Sequence, residues 1–424
     1  MEKEGGGEYV EHMKRAKKSL FSAYFILFLD NFGYAVTFPL FPLLLLTTSF
    51  DFLPEATLTS TRNILLGILL AAFPLAKFFG APFFGDTADR FGRKKTLIWT
   101  LAGTVLGYAL SALAIYLKSY SFLLFSRLLS GFFSGNLVIS LAIISDLNPS
   151  REKRAKGMSV AASCLGLGIT AAIVAGGVLT APEILSALSP AFAFWALAVV
   201  SLLNLVVLFL FYQETATQIS PDAKISFTKP FRNILSVIGQ KTLHPIYLFL
   251  FFWFFGFFLS IQWVVPLSVE KFQASRDEIT WLLVIFGLCW ALSGVFLNRR
   301  LLSKFSIWPL TLWSLFLVSF LYFICAIDNF FLYFTLAYIL SGIFIAFCLG
   351  NTMTLISLAI SAEGQGKALG VGQSVTSLAQ FLSPFLGGFL AGFSIELIFY
   401  ACALFVLVSF LSLLTYVLRR KQKT

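Results

Sequence analysis

The sequence predicts an all-α polytopic membrane protein, with twelve transmembrane helices in two pseudo-symmetric six-helix bundles. Three observations predict it. The 424 residues are 58% hydrophobic and only 12% charged, with a mean hydropathy of +0.87. A soluble chain of this length could not hide that much apolar surface. Each span needs roughly 20 apolar residues, and the sequence offers twelve such stretches. The third observation is the placement of charge. Of the 31 Lys and Arg residues, all but Arg62, Lys77, Lys118, Arg127, Lys271 and Arg276 fall at the two ends or in the loops after even-numbered spans. This is the positive-inside bias. It puts both termini in the cytoplasm and requires an even number of spans.

Taken in order, residues 1–19 read as a polar cytoplasmic tail with a basic cluster at Lys14, Arg15, Lys17 and Lys18. The N-terminal bundle covers 20–212, with spans 1 to 6 at 20–47, 62–84, 95–117, 120–147, 156–180 and 190–212. Residues 213–242 form a cytoplasmic linker, of which Ile225–Ile238 could lie on the membrane surface as an amphipathic helix. The C-terminal bundle covers 243–418, with spans 7 to 12 at 243–268, 278–297, 306–327, 329–353, 368–392 and 394–418; residues 419–424 form a cytoplasmic tail. No cleavable signal is expected, because the first apolar segment is too long and no small-residue cleavage site follows it. A shift of 211 residues places Gly176-Gly177 on Gly387-Gly388, Glu152 on Glu363, Lys156 on Lys367 and Ser163 on Ser374. Spans 5 and 11 are therefore equivalent elements of two parallel halves, as in transporters built from repeats.

Composition also excludes function classes. The net charge of +11 does not signal nucleic acid, because it is confined to one side of the membrane. The five cysteines all fall inside spans with no metal-type spacing, and His12 and His244 are isolated. Neither a metal site nor covalent catalysis is expected, and no phosphate-binding glycine loop is present. No cofactor is expected; a proton gradient would supply the driving force.

A short charged stretch after span 2 reads Gly85-Asp86-Thr87-Ala88-Asp89-Arg90-Phe91-Gly92-Arg93-Lys94-Lys95. Its two glycines are expected to let the backbone reverse tightly. The stretch resembles the loop 2–3 signature of the major facilitator superfamily, roughly G-x-L-a-D-R-x-G-R-K/R-K/R, and departs from it at Thr87. The resemblance extends to most of the chain. Leu29-Asp30-Asn31-Phe32-Gly33 followed by Pro39 and Pro42 is similar to span 1 of the twelve-helix drug:proton antiporters, the tetracycline efflux type in particular. Arg127 with Gly131 and Gly135 resembles the signature of span 4, and Asp146 matches an acid at its cytoplasmic end. Gly366, Gly370, Ser374, Pro384, Gly387 and Gly388 resemble span 11. The antiporter signature of span 5 ends Gly-Pro-x-x-Gly-Gly; here Gly166, Gly168, Gly176 and Gly177 are kept, but Ala172-Ile173 replace Gly-Pro. These glycines are read as helix-packing positions. The resemblance implies that Gly85, Asp89, Arg90, Gly92, Arg93 and Asp146 build a conformational latch, in which Asp89 and Arg90 engage Asp146 and the start of span 11.

Ionisable residues inside spans each cost several kcal/mol unless paired or hydrated. Asp30 lies about 15 Å from the cytoplasmic face by helix rise, and Lys77 about 12 Å. Depth thus favours an Asp30–Lys77 pair, whereas the resemblance implies that Arg127 communicates with Asp30. The second half has no equivalents, since the shift carries Asp30, Arg127 and Asp89 onto Lys241, Tyr338 and Arg300. Ion handling is therefore assigned to the first half and recognition to the second. Gln262, Trp263, Asn351, Gln373 and Gln380 are the candidates there for a substrate cavity, with Asn31 and Asn136 opposite. For each, helix–helix hydrogen bonding is the equal alternative. Of the 50 phenylalanines, seven crowd span 7, at Phe249, Phe251, Phe252, Phe254, Phe255, Phe257 and Phe258. That is too many for one helix face, so most are expected to point at lipid.

The functional reading is secondary active transport by alternating access, in a cell membrane and as a monomer. Its leading form is proton-coupled export of a small amphiphilic, drug-like compound. Proton-coupled uptake of a metabolite is the alternative that the altered span 5 signature permits. A non-transporting receptor with the same fold is the third reading.

Overall fold

A computed structural model describes residues 2–47, 50–148, 151–179, 189–212, 214, 226–228, 231–233, 235, 243–358 and 365–421. Among these residues every regular element is helical. All twelve expected spans are helices, and ten are long and apolar enough to cross a membrane by length and composition. Span 5 contributes a shorter apolar stretch, Ser163–Gly176. Span 8 runs as Arg276–Leu292, widens into a π turn at Ser293–Leu297, and closes with Asn298–Leu302.

Local sequence explains the breaks. Span 1 consists of Glu2–Ala35 and Thr37–Leu46. Pro39 offers no N–H to the carbonyl of Ala35, four residues earlier, and the helix interrupts there. Its first part begins in the polar segment, so the expected tail is helical from Glu2. Span 2, Thr59–Phe91, likewise runs on through most of the charged stretch. The tight reversal expected from two glycines therefore happens only at Gly92, whose φ of +93° suits a residue without a Cβ. Gly85 stays helical, and a Cβ there would meet Val138 of span 4 at 3.3 Å. Span 4 is split into Tyr120–Phe133 and Asn136–Asp146, and the Ser134 hydroxyl donates to the Gly131 carbonyl at the break, 2.8 Å away.

The chain divides into two compact units. Unit 1 is Met1–Ala35, Ala76–Ile169 and Pro190–Phe227; unit 2 is Val36–Leu75, Thr170–Ser189 and Thr228–Thr424. This grouping crosses the sequence halves, because parts of spans 1, 2 and 5 cluster with residues of the second half.

In unit 1, span 3 packs on span 6 and on the first part of span 4, and span 1 on the second part of span 4. Ile26, Leu27, Phe84, Leu97, Leu101, Ile139, Ile143 and Leu208 form its apolar centre. Spans 3 and 4 come close enough for the Ser111 and Ser126 hydroxyls to bond at 2.8 Å.

In unit 2, span 7 packs against spans 11 and 12 and against Thr37–Leu46 of span 1. It is therefore surrounded, which corrects the expectation for its phenylalanines. Phe249, Phe254, Phe255, Phe257 and Phe258 are buried in protein. The Phe255 ring lies 4.5 Å from that of Phe405, and Phe252 stacks on the same ring at 5.9 Å. A helix enclosed on several sides can be apolar all round without touching lipid. Arg62, at the expected start of span 2, is buried. It donates to the carbonyls of Leu45, Pro54 and Thr57 at 2.8, 2.9 and 3.1 Å, and so ties spans 1 and 2 together at that end.

Candidate functional site

The helix break in span 4 starts its second part at Asn136, which places that amide beside span 1. Asn136 Nδ2 donates to Asp30 Oδ1 at 2.9 Å. Both residues are buried, and neither Asp30 Oδ2 nor Asn136 Oδ1 has a hydrogen-bond partner among the described residues. Lys77, also buried, is the cation whose charge acts on Asp30. Arg127 is almost fully enclosed, with its guanidinium 5.9 Å from the centre of the Phe194 ring. Its electrostatic neighbours are Tyr108 and Tyr34. Tyr108 in turn is an electrostatic neighbour of both Arg127 and Asp30. Gly33, one turn along from Asp30, makes room for the Tyr108 hydroxyl. Lys77 is thus the charged neighbour of Asp30, while Arg127 and Asp30 share Tyr108 as a neighbour. Tyr108 was not among the expected site residues; the one signal for it is a phenol in the middle of an otherwise apolar span 3.

The charged stretch forms a second cluster in unit 1, and Arg93 is its centre. Arg93 Nε sits 2.6 Å from Asp146 Oδ2, and Nη1 lies 3.9 Å from Asp89 Oδ1. Glu214, just after span 6, accepts from the backbone N–H groups of Arg93 and Lys94 at 3.0 Å each. A carboxylate there satisfies two of the orphan donors that any helix start leaves open. A Cβ on Gly92 would meet Glu214 Oε2 at 2.5 Å, so this glycine is needed for space as well as for φ. Asp89 and Arg90 are exposed, and Arg90 lies over the Phe91 ring at 5.3 Å. The start of span 11 that the resemblance assigns to this cluster lies outside the described residues, or has no described side chains. Glu214 escaped the sequence reading because its two partners lie 120 and 121 residues away. The linker docks nearby, with Asp86 Oδ2 accepting from the Ser226 N–H at 3.2 Å and Phe83 stacked on Phe227 at 4.7 Å. Half of the amphipathic helix expected at Ile225–Ile238 falls outside the described residues; Phe231–Asn233 and Leu235 within it are helical.

Of the candidates for a substrate cavity, Asn31, Asn136 and Asn351 hydrogen-bond to protein groups. Asn31 donates to the Leu27 carbonyl of its own helix at 3.1 Å. Asn351 donates to Thr311 Oγ1 and accepts from Asn298 Nδ2, each at 3.2 Å, and so joins spans 8, 9 and 10. Trp263 is fully buried, with its indole edge against Gly387. Gln262 and Gln380 are buried and Gln373 is half-buried.

Among the packing glycines, Gly168 abuts the Phe28 carbonyl and Gly176 the Pro39 ring, whereas Gly166 faces open space. A Cβ on Gly388 would sit 2.9 Å from the Gly67 Cα, so spans 2 and 11 touch backbone to backbone. Gly177 has no described surroundings. Among the described residues, no three His, Cys, Asp or Glu side chains are grouped to hold a metal.

Comparison with known proteins agrees with this architecture. The chain is 28% identical over 240 residues to the class C tetracycline resistance protein of Escherichia coli, covering 56% of this chain and 58% of that one. The chain thus spans less than two thirds of that relative's length. It is 25% identical over 378 residues to the quinolone resistance protein NorA of Staphylococcus aureus (strain COL), covering 87% and 88%. The structure of a D-xylose–proton symporter superposes with a TM-score of 0.73 at 18% identity, over 93% of this chain and 97% of that one. The model of the Major Facilitator Superfamily matches residues 20–270 and 264–424. With its helical stretches, its charged signature and its paired halves accounted for, the chain belongs to the Major Facilitator Superfamily.

Proposed function

We propose that this protein is a proton-coupled exporter of a small amphiphilic compound, working by alternating access between its two six-helix halves, 20–212 and 243–418. The observation that carries the reading is Asp30. It is buried inside span 1, it is held on one oxygen by Asn136, and its other oxygen has no hydrogen-bond partner among the described residues. An acid in that setting is a natural place to bind and release a proton, because each protonation state changes what the surrounding dipoles and the Lys77 charge must compensate. Export is favoured by the resemblance of the chain to tetracycline and quinolone resistance proteins. Arg93 with Asp89, Asp146 and Glu214 would then serve as the latch that poises two nearly equal states. A coupling of about 1–3 kcal/mol suffices for that.

The second reading, uptake coupled to protons, is favoured by Ala172-Ile173 in span 5, both buried where the antiporter signature has Gly-Pro. Flux in reconstituted vesicles under an imposed pH gradient separates the readings. Substrate moving against the proton flow means export, and movement with it means uptake. No flux with any of a panel of amphiphilic compounds would leave only the receptor. In the same assay, Asp30→Asn is expected to abolish gradient-driven accumulation while sparing substrate exchange; unchanged accumulation would remove Asp30 from the coupling.

A further inference from the structure

A second acid in unit 2 has the same unfinished hydrogen bonding, at the opposite ends of the helices from the basic loops. Asn63, near the start of span 2, is 1% exposed. Its Nδ2 donates to Glu270 Oε2 on span 7 at 3.2 Å. Asn63 Oδ1 and Glu270 Oε1 are both buried, and neither has a hydrogen-bond partner among the described residues. A carboxylate only accepts, so it can never satisfy the amide oxygen beside it. A carboxylic acid can: its O–H donates to Oδ1 while its carbonyl accepts from Nδ2, and the two orphaned oxygens are resolved together.

The charged groups at this end are engaged elsewhere. Lys271 Nζ lies 3.3 Å from Glu396 of span 12 and donates to the Ala326 carbonyl. Arg62 is taken by the Leu45 carbonyl of span 1 and by the Pro54 and Thr57 carbonyls of the loop that follows. Glu278 at the start of span 8 accepts from the Ser275 N–H in a capping box, and Asp328 before span 10 accepts from the Phe330 N–H. Among the described residues, the one hydrogen bond to the Glu270 side chain is that from Asn63. Among the described residues, no cation is paired with this carboxyl group. One turn deeper, Gly67 meets Gly388 so closely that a Cβ on Gly67 would fall 2.7 Å from the Pro384 carbonyl and 2.8 Å from the Gly388 Cα. The acid–amide pair thus sits over a backbone seam joining span 2 to span 11.

We propose that Glu270 is a second proton-binding site. In its neutral form it clamps span 2 to span 7 and closes the outer side of the transporter; loss of its proton to the outside opens that closure. The inference rests on the transport reading above, but its test does not depend on Asp30.

The full-length protein in lipid nanodiscs, with its native cysteines replaced, would carry spin labels at Thr59→Cys and Ser394→Cys. Distances between the labels are then measured as pH is raised. The expected result is a short distance in acid, giving way to a long one. A single linked proton makes the open-to-closed ratio climb by up to about tenfold per pH unit. Glu270→Gln, which keeps the amide-facing geometry and cannot ionise, is expected to stay short at every pH. Asn63→Ala, whose pair is broken in both forms, is expected to show the long distance already in acid. A Glu270→Gln protein that opens with the pH profile of the parent would overturn the proposal, and so would a parent whose distances ignore pH. Asp30→Asn in the same assay is expected to keep the pH response. If instead Asp30→Asn loses that response while Glu270→Gln retains it, the gate belongs to Asp30 and the Glu270 assignment is wrong. Normal accumulation by Asp30→Asn in vesicles would defeat the coupling role of Asp30 and leave the gate untouched.

Discussion

Asn136 shows how one amide can matter more than its size. It is the only described hydrogen-bond donor to Asp30, and it reaches that acid because span 4 breaks two residues earlier. Removing it takes away the one described donor to Asp30. Hydrogen bonds in membrane interiors contribute modestly, so Asn136→Ala is expected to lower stability by about 1–2 kcal/mol. It should also change the pH dependence of flux, whereas a purely structural amide would change only the unfolding temperature. Both readouts come from thermal unfolding and vesicle transport on the same preparation. Asp30, Lys77 and Arg127 could be picked out from the sequence because charge inside an apolar run is conspicuous. Tyr108, Glu214, Asn63 and Glu270 could not. Each is an ordinary residue whose partner lies far along the chain, 207 residues away in the case of Asn63 and Glu270.

At the scale of helices, composition predicts existence better than limits or neighbours. Spans 1 and 2 run beyond their apolar cores, because a helix once nucleated propagates through polar residues until a breaker stops it, and in span 1 Gly5-Gly6-Gly7 lie inside the helix. Gly92 is such a breaker and Gly85 is not; the difference lies in the φ that tertiary packing imposes on each. The aromatic crowd on span 7 was assigned to lipid from its lack of periodicity, yet a surrounded helix gives the same pattern. The seam between spans 2 and 11 carries a sharp prediction. Gly67→Val places branched carbons where the Pro384 carbonyl and the Gly388 Cα now lie, so the helices must separate. Transport should fall by an order of magnitude or more, because overpacking of this kind costs about 1–3 kcal/mol. The labelled outer pair should report the long distance at all pH values. Glu214→Ala removes the cap of span 3 and the neighbour of Gly92 at once. Transport slower by about fivefold is expected, on the order of 1 kcal/mol for a lost helix cap, with membrane insertion unchanged by quantitative blotting.

For the whole molecule, the basic loops predict that both termini share one side. Single cysteines at Lys95 and Arg420 should react with an impermeant reagent only from that side, and one at Glu55 only from the other. Opposite reactivity at Lys95 and Arg420 would break the even span count. The sequence by itself determined the membrane, the helical class, the spans and the family, because a bilayer demands long apolar helices and tolerates buried charge only sparingly. Only the tertiary structure decided which charges meet, where the glycines make room, and that Glu270 faces an amide rather than a cation. Those outcomes depend on pairings between distant helices, and a linear pattern of hydrophobicity contains no record of which helix turns which face toward another.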